Sequence, residues 1–302
     1  MKTLLILTGP TGVGKTELSL QLAEALQSPV ISCDSRQMYR EMSIGTAAPT
    51  PEQLARVPHH FVGNLSVNDY YSAARYESDA LALFDRCFAE GHDCLLLTGG
   101  SMLYIDAVCR GIDDMPDVDA SLRRELLQRY EACGLDDLLA QLRLLDPVYY
   151  NEVDRRNPKR VLHGLEICLM TGRPFSSFRL STPKTRPFRI VKWVLDRDRA
   201  ELYRRIDERV LGMMDAGLLE EAERLLPYRH LNALNTVGYR ELFEYFDGKC
   251  TLEQAVAQIQ FNTHKYARKQ LTWFRRDPEA HWCSPEPADR TLAAILKATS
   301  RR

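Results

Sequence analysis

The chain has 302 residues, 45 % hydrophobic and 27 % charged, with a formal net charge of -1. That length carries one large or two ordinary domains with a sizeable core. Near-neutrality excludes a global field that recruits nucleic acid, so a basic surface has to be local, and no apolar run is long enough to span a bilayer. The apolar opening is too short for a signal peptide and runs straight into a glycine loop, so a cytoplasmic location is expected. Eight cysteines lie scattered without a C-x-x-C or a Cys/His cluster, which argues against a zinc site and a disulfide framework.

Residues 3–8 read as a buried strand that leads into Gly9-Pro10-Thr11-Gly12-Val13-Gly14-Lys15-Thr16, a G-x-x-x-x-G-K-[ST] phosphate loop. Leu18, Leu22 and Leu26 then recur at helical spacing. Gly12 and Gly14 let backbone N–H groups turn inward around phosphate oxygens, Lys15 adds a point charge, and Thr16 is a candidate Mg²⁺ ligand. A second strand, residues 29–33, ends in Asp34-Ser35-Arg36-Gln37-Met38-Tyr39. Ligands of open α/β sheets sit beyond the carboxyl ends of strands, so Asp34 should face the loop, either as proton acceptor or Mg²⁺ contact through water, or as the cap of the next turn.

Residues 44–51 are turn-rich, His59 and His60 read as structural, and helical periodicity runs from 67 to about 91. The next strand, 94–98, ends in Gly99-Gly100-Ser101 rather than in the metal-organising acid of motor ATPases. Ser101 either caps the helix that follows, donates to an anion, or both. From 111 the chain turns to Leu- and Arg-rich helices, the third of them over 158–171 and carrying Lys159, Arg160 and His163. The sheet resumes at 188–195, and a helix follows in which Arg205 and Arg209, four apart, bring either or both guanidinium groups toward the phosphates or salt-bridge at the surface. A last long helix, 252–276, carries an apolar stripe through Val256, Ile259, Tyr266/Ala267, Gln270/Leu271 and Phe274. Its other face is basic, with Lys265, Arg268, Lys269, Arg275 and Arg276 beside aromatic residues, a combination suited to RNA. The fold class is therefore α/β: a P-loop NTPase-like parallel sheet flanked by helices, with an all-helical insertion.

GPTGVGKT, DSRQMY, IGTA, LTGGSMLY, the Arg123 region, NPKRV, VGYRE and ARKQLTWFRR, in this order, resemble the bacterial tRNA dimethylallyltransferases nearly end to end. The resemblance implies transfer of a dimethylallyl group from dimethylallyl diphosphate to N6 of adenosine 37 beside the tRNA anticodon, with release of diphosphate and Mg²⁺ on the donor. It implies a core over 1–115, a tRNA-contacting insertion over 116–186, and a core continuation over 187–302. Catalysis would fall to Asp34, Lys15, Thr16 and Ser101. Gly9 to Thr16 with Arg205 and Arg209 would hold the diphosphate. The tRNA anticodon stem-loop would meet Asp34, Ser35, Arg36, Gln37, Ser101, Arg123, Lys159, Arg160, Val161, Leu162, His163, Gly238, Tyr239, Arg240 and the basic face of the last helix. A monomer without membrane contact is expected. The chain departs from the family pattern at Ala48, where a lysine is usual, at Phe61-Val62-Gly63, and at His163-Gly164. A small-molecule kinase, an adenylate isopentenyltransferase and a non-enzymatic RNA-binding module are the rival readings. The first leaves the insertion and the basic helix unexplained, the second has no need of an anticodon-loop surface, and the third keeps the phosphate loop and Asp34 without use.

Overall fold

Every residue of Thr3–Thr8 (β1) is buried, as befits a central strand covered on both faces. The computed structural model describes residues 1–113, 115, 119–179 and 183–300, the side chains of Ala120 and Ser300 apart. After β1 come Lys15–Leu26 (α1), Val30–Ser32 (β2), Pro51–Arg56 (α2), His59–His60 (β3), Ala73–Ala89 (α3), Cys94–Gly99 (β4) and Met102–Arg110 (α4). Four helices follow, Ala120–Cys133 (α5), Leu135–Leu145 (α6), Pro147–Glu152 (α7) and Pro158–Thr171 (α8). The chain then continues through Arg189–Leu195 (β5), Arg199–Asp215 (α9), Leu218–Leu225 (α10), Tyr239–Phe246 (α11), Leu252–Phe274 (α12), His281–Cys283 (β6) and Ala288–Ser300 (α13).

The strands form one sheet in the order β3-β2-β4-β1-β5-β6, and every pairing is parallel. Parallel pairing places the carboxyl ends of β1, β2, β4 and β5 on one edge, where the phosphate loop, Asp34, Gly99 and Asp196 emerge. Side chains alternate along β1: Leu4 and Ile6 pack with Tyr76, Phe84, Ile105 and Val108, whereas Leu5 and Leu7 pack with Leu18, Leu22, Ile206 and Ile295. A third core joins Met42, Leu218, Leu234, Tyr239, Leu242 and Ile259.

The chain divides into two compact units, Met1–Cys109 with Thr185–Arg302, and Arg110–Lys184, set against the boundaries of 116 and 186 read from the sequence. The second unit is all-helical around Leu138, Leu142, Tyr149, Val161, Leu165 and Phe175. Its buried Asp146 caps α7 by accepting from Tyr149 N at 2.9 Å, and it also accepts from Ser176 N and Oγ at 2.6 and 2.8 Å. The departure at Gly164 has a packing cause: a Cβ there would sit 2.5 Å from Tyr149 Cε1.

Three expectations shift. The helix predicted from 67 begins only at Ala73, because Ser72 caps it through Arg75 N while Val67 N donates to Glu41 Oε2 at 3.1 Å. The three-residue β6 and the helix α13 were not anticipated, and α12 ends at Phe274, so Arg275 and Arg276 follow it. Of the cysteines, Cys33, Cys87 and Cys168 are buried and Cys133 is exposed. Among the described residues, no helix is long and apolar enough to cross a membrane.

Candidate active site

Between β1 and α1 the chain wraps residues 9–14 around the helix N-terminus, with Gly12 at φ 81°. Only glycine fits there, since a Cβ would meet Ile206 Cγ1 at 2.8 Å in a left-handed backbone conformation. Lys15 Nζ donates to Gly9 O and Pro10 O, both at 2.9 Å, and the loop is braced from outside by arginines. Arg205 Nε donates to Gly12 O at 3.0 Å, Arg209 Nη1 to Thr11 Oγ1 at 3.2 Å, and Arg197 Nε to Val13 O at 2.8 Å. Both expected arginines thus reach the loop. A third, Arg197, was missed; it stands two residues beyond β5, at the carboxyl edge where the topology rule would have placed it.

Gln270 was also misassigned, to the apolar stripe of α12. It is fully buried, accepts from Thr11 N at 2.9 Å and donates to Gly100 O at 2.8 Å, tying the phosphate loop to the end of β4. A glutamine at a helix position that is otherwise apolar was the available signal, because a buried amide requires polar partners.

These residues open on a cavity of about 870 Å³, lined by Thr11, Gly12, Gly14, Lys15, Thr16, Asp34, Gln37, Arg197, Arg205, Arg209, Tyr266 and Gln270, and by the 46–50 loop. Gly9, Pro10 and Val13 support the loop without lining the cavity. Asp34 closes an Asx-turn, its Oδ1 accepting from Arg36 N at 2.9 Å and Gln37 N at 3.3 Å, while no described group bonds to Oδ2. The turn cap and the cavity-facing carboxylate are therefore the same residue. His59 Nδ1 meets Val57 O at 2.8 Å, and the residue also lines the cavity.

Lys15 is pushed down to about 8, chiefly by burial and then by the Arg209 charge, with Asp34 pulling the other way. Arg209 is lowered for the same first reason, burial, again opposed by Asp34. A lysine depressed in this way destabilises the fold below about pH 8, and that cost fades as pH rises from there toward its ordinary 10.5. A bound diphosphate reverses the shift, so binding at about pH 8.5 should take up a fraction of a proton from solvent. Calorimetry of metal-free diphosphate in buffers of different ionisation enthalpy reads this directly, and Lys15→Met should abolish it. Absence of uptake in the wild type would mean that Lys15 stays charged without ligand.

Several expected contacts fall elsewhere. Ser101 is 8 % exposed and does not line the cavity; its hydroxyl accepts from Ser35 N at 2.8 Å and donates to Ser35 Oγ at 3.1 Å, joining the turns after β2 and β4. The Gln37 amide nitrogen is spent on Ala47 O (2.9 Å) and Thr46 O (3.2 Å), and Arg36 Nη1 on Asn232 O (3.0 Å). Val161, Leu162 and Tyr239 are core residues, corrected from the RNA surface: the first two fill the helical unit, and the Tyr239 hydroxyl donates to Glu221 Oε1 at 2.6 Å. Gly238 is likewise buried, its N–H on Glu241 Oε2 at 2.8 Å. Lys159, Arg160, Arg240, Lys265, Arg268, Lys269, Arg275 and Arg276 are exposed, as an electrostatic surface requires. Arg123 forms a fork with the buried Glu166 (2.6 Å twice), and His163 lies 3.6 Å from the same carboxylate.

A strand, glycine loop and helix bearing Lys15 and Thr16 open on this cavity from an all-parallel sheet flanked by helices, which defines an α/β protein. The IPP transferase family profile matches residues 37–277. The tRNA dimethylallyltransferase 2 of Porphyromonas gingivalis is 63 % identical over 294 residues, spanning 97 % of this chain and 98 % of that one. The tRNA dimethylallyltransferase 1 of Phocaeicola vulgatus is 60 % identical over 284 residues, 94 % of each. Among solved structures, the tRNA isopentenylpyrophosphate transferase of Bacillus halodurans superposes with a TM-score of 0.71 at 32 % identity, covering 99 % of this chain and 98 % of that one. A eukaryotic dimethylallyltransferase acting on tRNA gives 0.82 at 23 % identity over 100 % of this chain and 80 % of its own, a likeness of fold. The chain belongs to the IPP transferase family.

Proposed function

We propose that this protein is a tRNA dimethylallyltransferase that moves a dimethylallyl group from dimethylallyl diphosphate to N6 of adenosine 37, beside the anticodon, in the cytoplasm and as a monomer. The observation that carries the reading is one cavity lined both by Thr11, Gly12, Gly14, Lys15 and Thr16 of the phosphate loop and by Asp34. The loop N–H groups, Lys15, Arg205 and Arg209 hold the diphosphate and take up the charge that grows on it as the allylic C–O bond lengthens. An adenine amine is a weak nucleophile, its lone pair delocalised into the ring, so removal of its proton by Asp34 Oδ2 as the C–N bond forms lowers the barrier.

Mg²⁺ fits this donor set. The described residues contain no cluster of three or more metal-ligating side chains, and the cavity offers hard oxygens from the Thr16 hydroxyl and Asp34. Such sparse protein ligation suits an ion that keeps its waters and binds mainly through phosphate oxygens. Thr16 would hold it, and bound there it would supply further neutralisation of the leaving diphosphate.

The exposed lysines and arginines supply the tRNA surface in this reading, and Arg123 and His163 belong to it. Arg268 and Lys269 have no acidic partner among the described residues, and Arg276 stacks on Trp273 at 4.9 Å. Lys269→Gln or Arg276→Gln should each weaken binding of an anticodon stem-loop and reduce the slope of log K against log salt by about 1. Donor affinity should stay put; a loss there instead would move these residues into the donor site.

The decisive assay is incubation with dimethylallyl diphosphate, Mg²⁺ and unmodified tRNA, followed by nucleoside mass analysis. A prenylated adenosine is expected. Equal turnover of free AMP, or phosphorylation of a small metabolite in place of prenylation, would overturn the reading.

A further inference from the structure

Tyr266 lies on α12 four residues before Gln270, so the two side chains share one face of that helix. Gln270 fastens that face to Thr11 N and Gly100 O. Tyr266 itself lines the cavity, and among the described lining residues it is the only one bearing a benzene ring. No described group hydrogen-bonds its hydroxyl. Tyr266 is 36 % exposed; desolvation of its cavity-facing phenol, and after it the Asp34 carboxylate, push that phenol above its ordinary range, so the ring is neutral at every working pH.

The proposed transfer makes one demand that the phosphate-binding residues cannot meet. The allylic C1–O bond breaks with its electron pair leaving on diphosphate, the adenine N6 pair forms the C1–N bond, and the N6 proton passes to Asp34. To the extent that C–O cleavage runs ahead of C–N formation, positive charge spreads over C1 and C3 of the five-carbon unit. Lys15, Arg205 and Arg209 stabilise the leaving group but repel that charge. A neutral aromatic face attracts it, most strongly where water is excluded.

We propose that Tyr266 is a further catalytic residue, its ring lying against the allylic carbons and stabilising the cationic transition state through its π face. This rests on the transferase reading above, so the wild-type chain is assayed first with dimethylallyl diphosphate and an anticodon stem-loop. An inactive wild type overturns that reading and this inference with it.

With an active wild type, Tyr266→Leu should lower kcat about 30-fold while stem-loop affinity holds, and Tyr266→Phe should recover most of that loss. Phenylalanines carrying progressively more ring fluorines at 266 should then lower kcat stepwise, because fluorine drains the π face with little change in ring shape. Wild-type kcat in Tyr266→Leu, or a flat fluorine series, overturns the inference. A fall in Tyr266→Phe as deep as in Tyr266→Leu does so too, since it would assign the effect to the hydroxyl.

Discussion

Asp34→Asn should lower kcat for prenyl transfer by about 10²-fold or more while the affinities for donor and tRNA remain close to wild type. Asparagine keeps the Oδ1 that accepts from Arg36 N and Gln37 N, so the turn after β2 survives and only the proton acceptor at the second oxygen is lost. The electrostatic side effect has a definite sign. Asp34 raises both Lys15 and Arg209, so its removal leaves the phosphate site more positive and donor affinity equal or tighter. A falling kcat with a steady or falling donor KM is therefore the signature of a lost base, read from steady-state kinetics beside equilibrium binding. Turnover at the wild-type rate would take proton removal away from Asp34.

Glu221→Ala should destabilise the first unit by about 4 kcal/mol, the sum expected from orphaning several buried donors at roughly 1–3 kcal/mol each. The carboxylate is 2 % exposed and accepts from Ile44 N and Gly45 N, each at 2.9 Å, and from the Tyr239 hydroxyl at 2.6 Å. For a chain of this size that corresponds to a fall in Tm of about 10 °C in a thermal melt. Glu221→Gln keeps one acceptor oxygen and should cost less than half as much. The consequence reaches the cavity, because the segment that Glu221 holds continues into Thr46 and Ala47, which line it. A melt of Glu221→Ala within a degree or two of wild type would show those N–H groups finding other partners.

The Glu221 network also explains a motif whose purpose cannot be seen locally. IGTA reads in the sequence as a turn-rich stretch, yet its geometry is set from α10, whose Glu221 binds it, and from α11. Tyr239 on α11 packs so close that a Cβ on Gly45 would meet the Tyr239 hydroxyl at 2.6 Å. The tyrosine of VGYRE is thus part of the wall behind the loop rather than of an RNA surface.

What the amino-acid sequence determines by itself is what contiguous residues encode. The phosphate loop needs eight consecutive positions between a strand and a helix, and its backbone geometry follows from glycines that no neighbour can replace. Asp34 could be placed at the cavity because a residue just past a parallel strand has one edge of the sheet to face. The helix over Pro158–Thr171 announces both its ends, with proline at the first turn and Gly172 beyond the last.

Tertiary structure alone decided which face of each helix meets what. Gln270 joins Thr11 across 259 residues and Arg205 joins Gly12 across 193, separations over which no local period carries information. Val161 and Leu162 sit beside the exposed Lys159 and Arg160 in one motif, and only the packing of α8 against its neighbours sorts core from surface. Ser101 reads in the sequence as a helix cap or a donor to an anion, yet its hydroxyl is engaged by Ser35 in the turn after β2. The loop could be read because its chemistry lies along the backbone; its braces could not, because they belong to side chains that meet only once the sheet has brought β1, β4, α9 and α12 together.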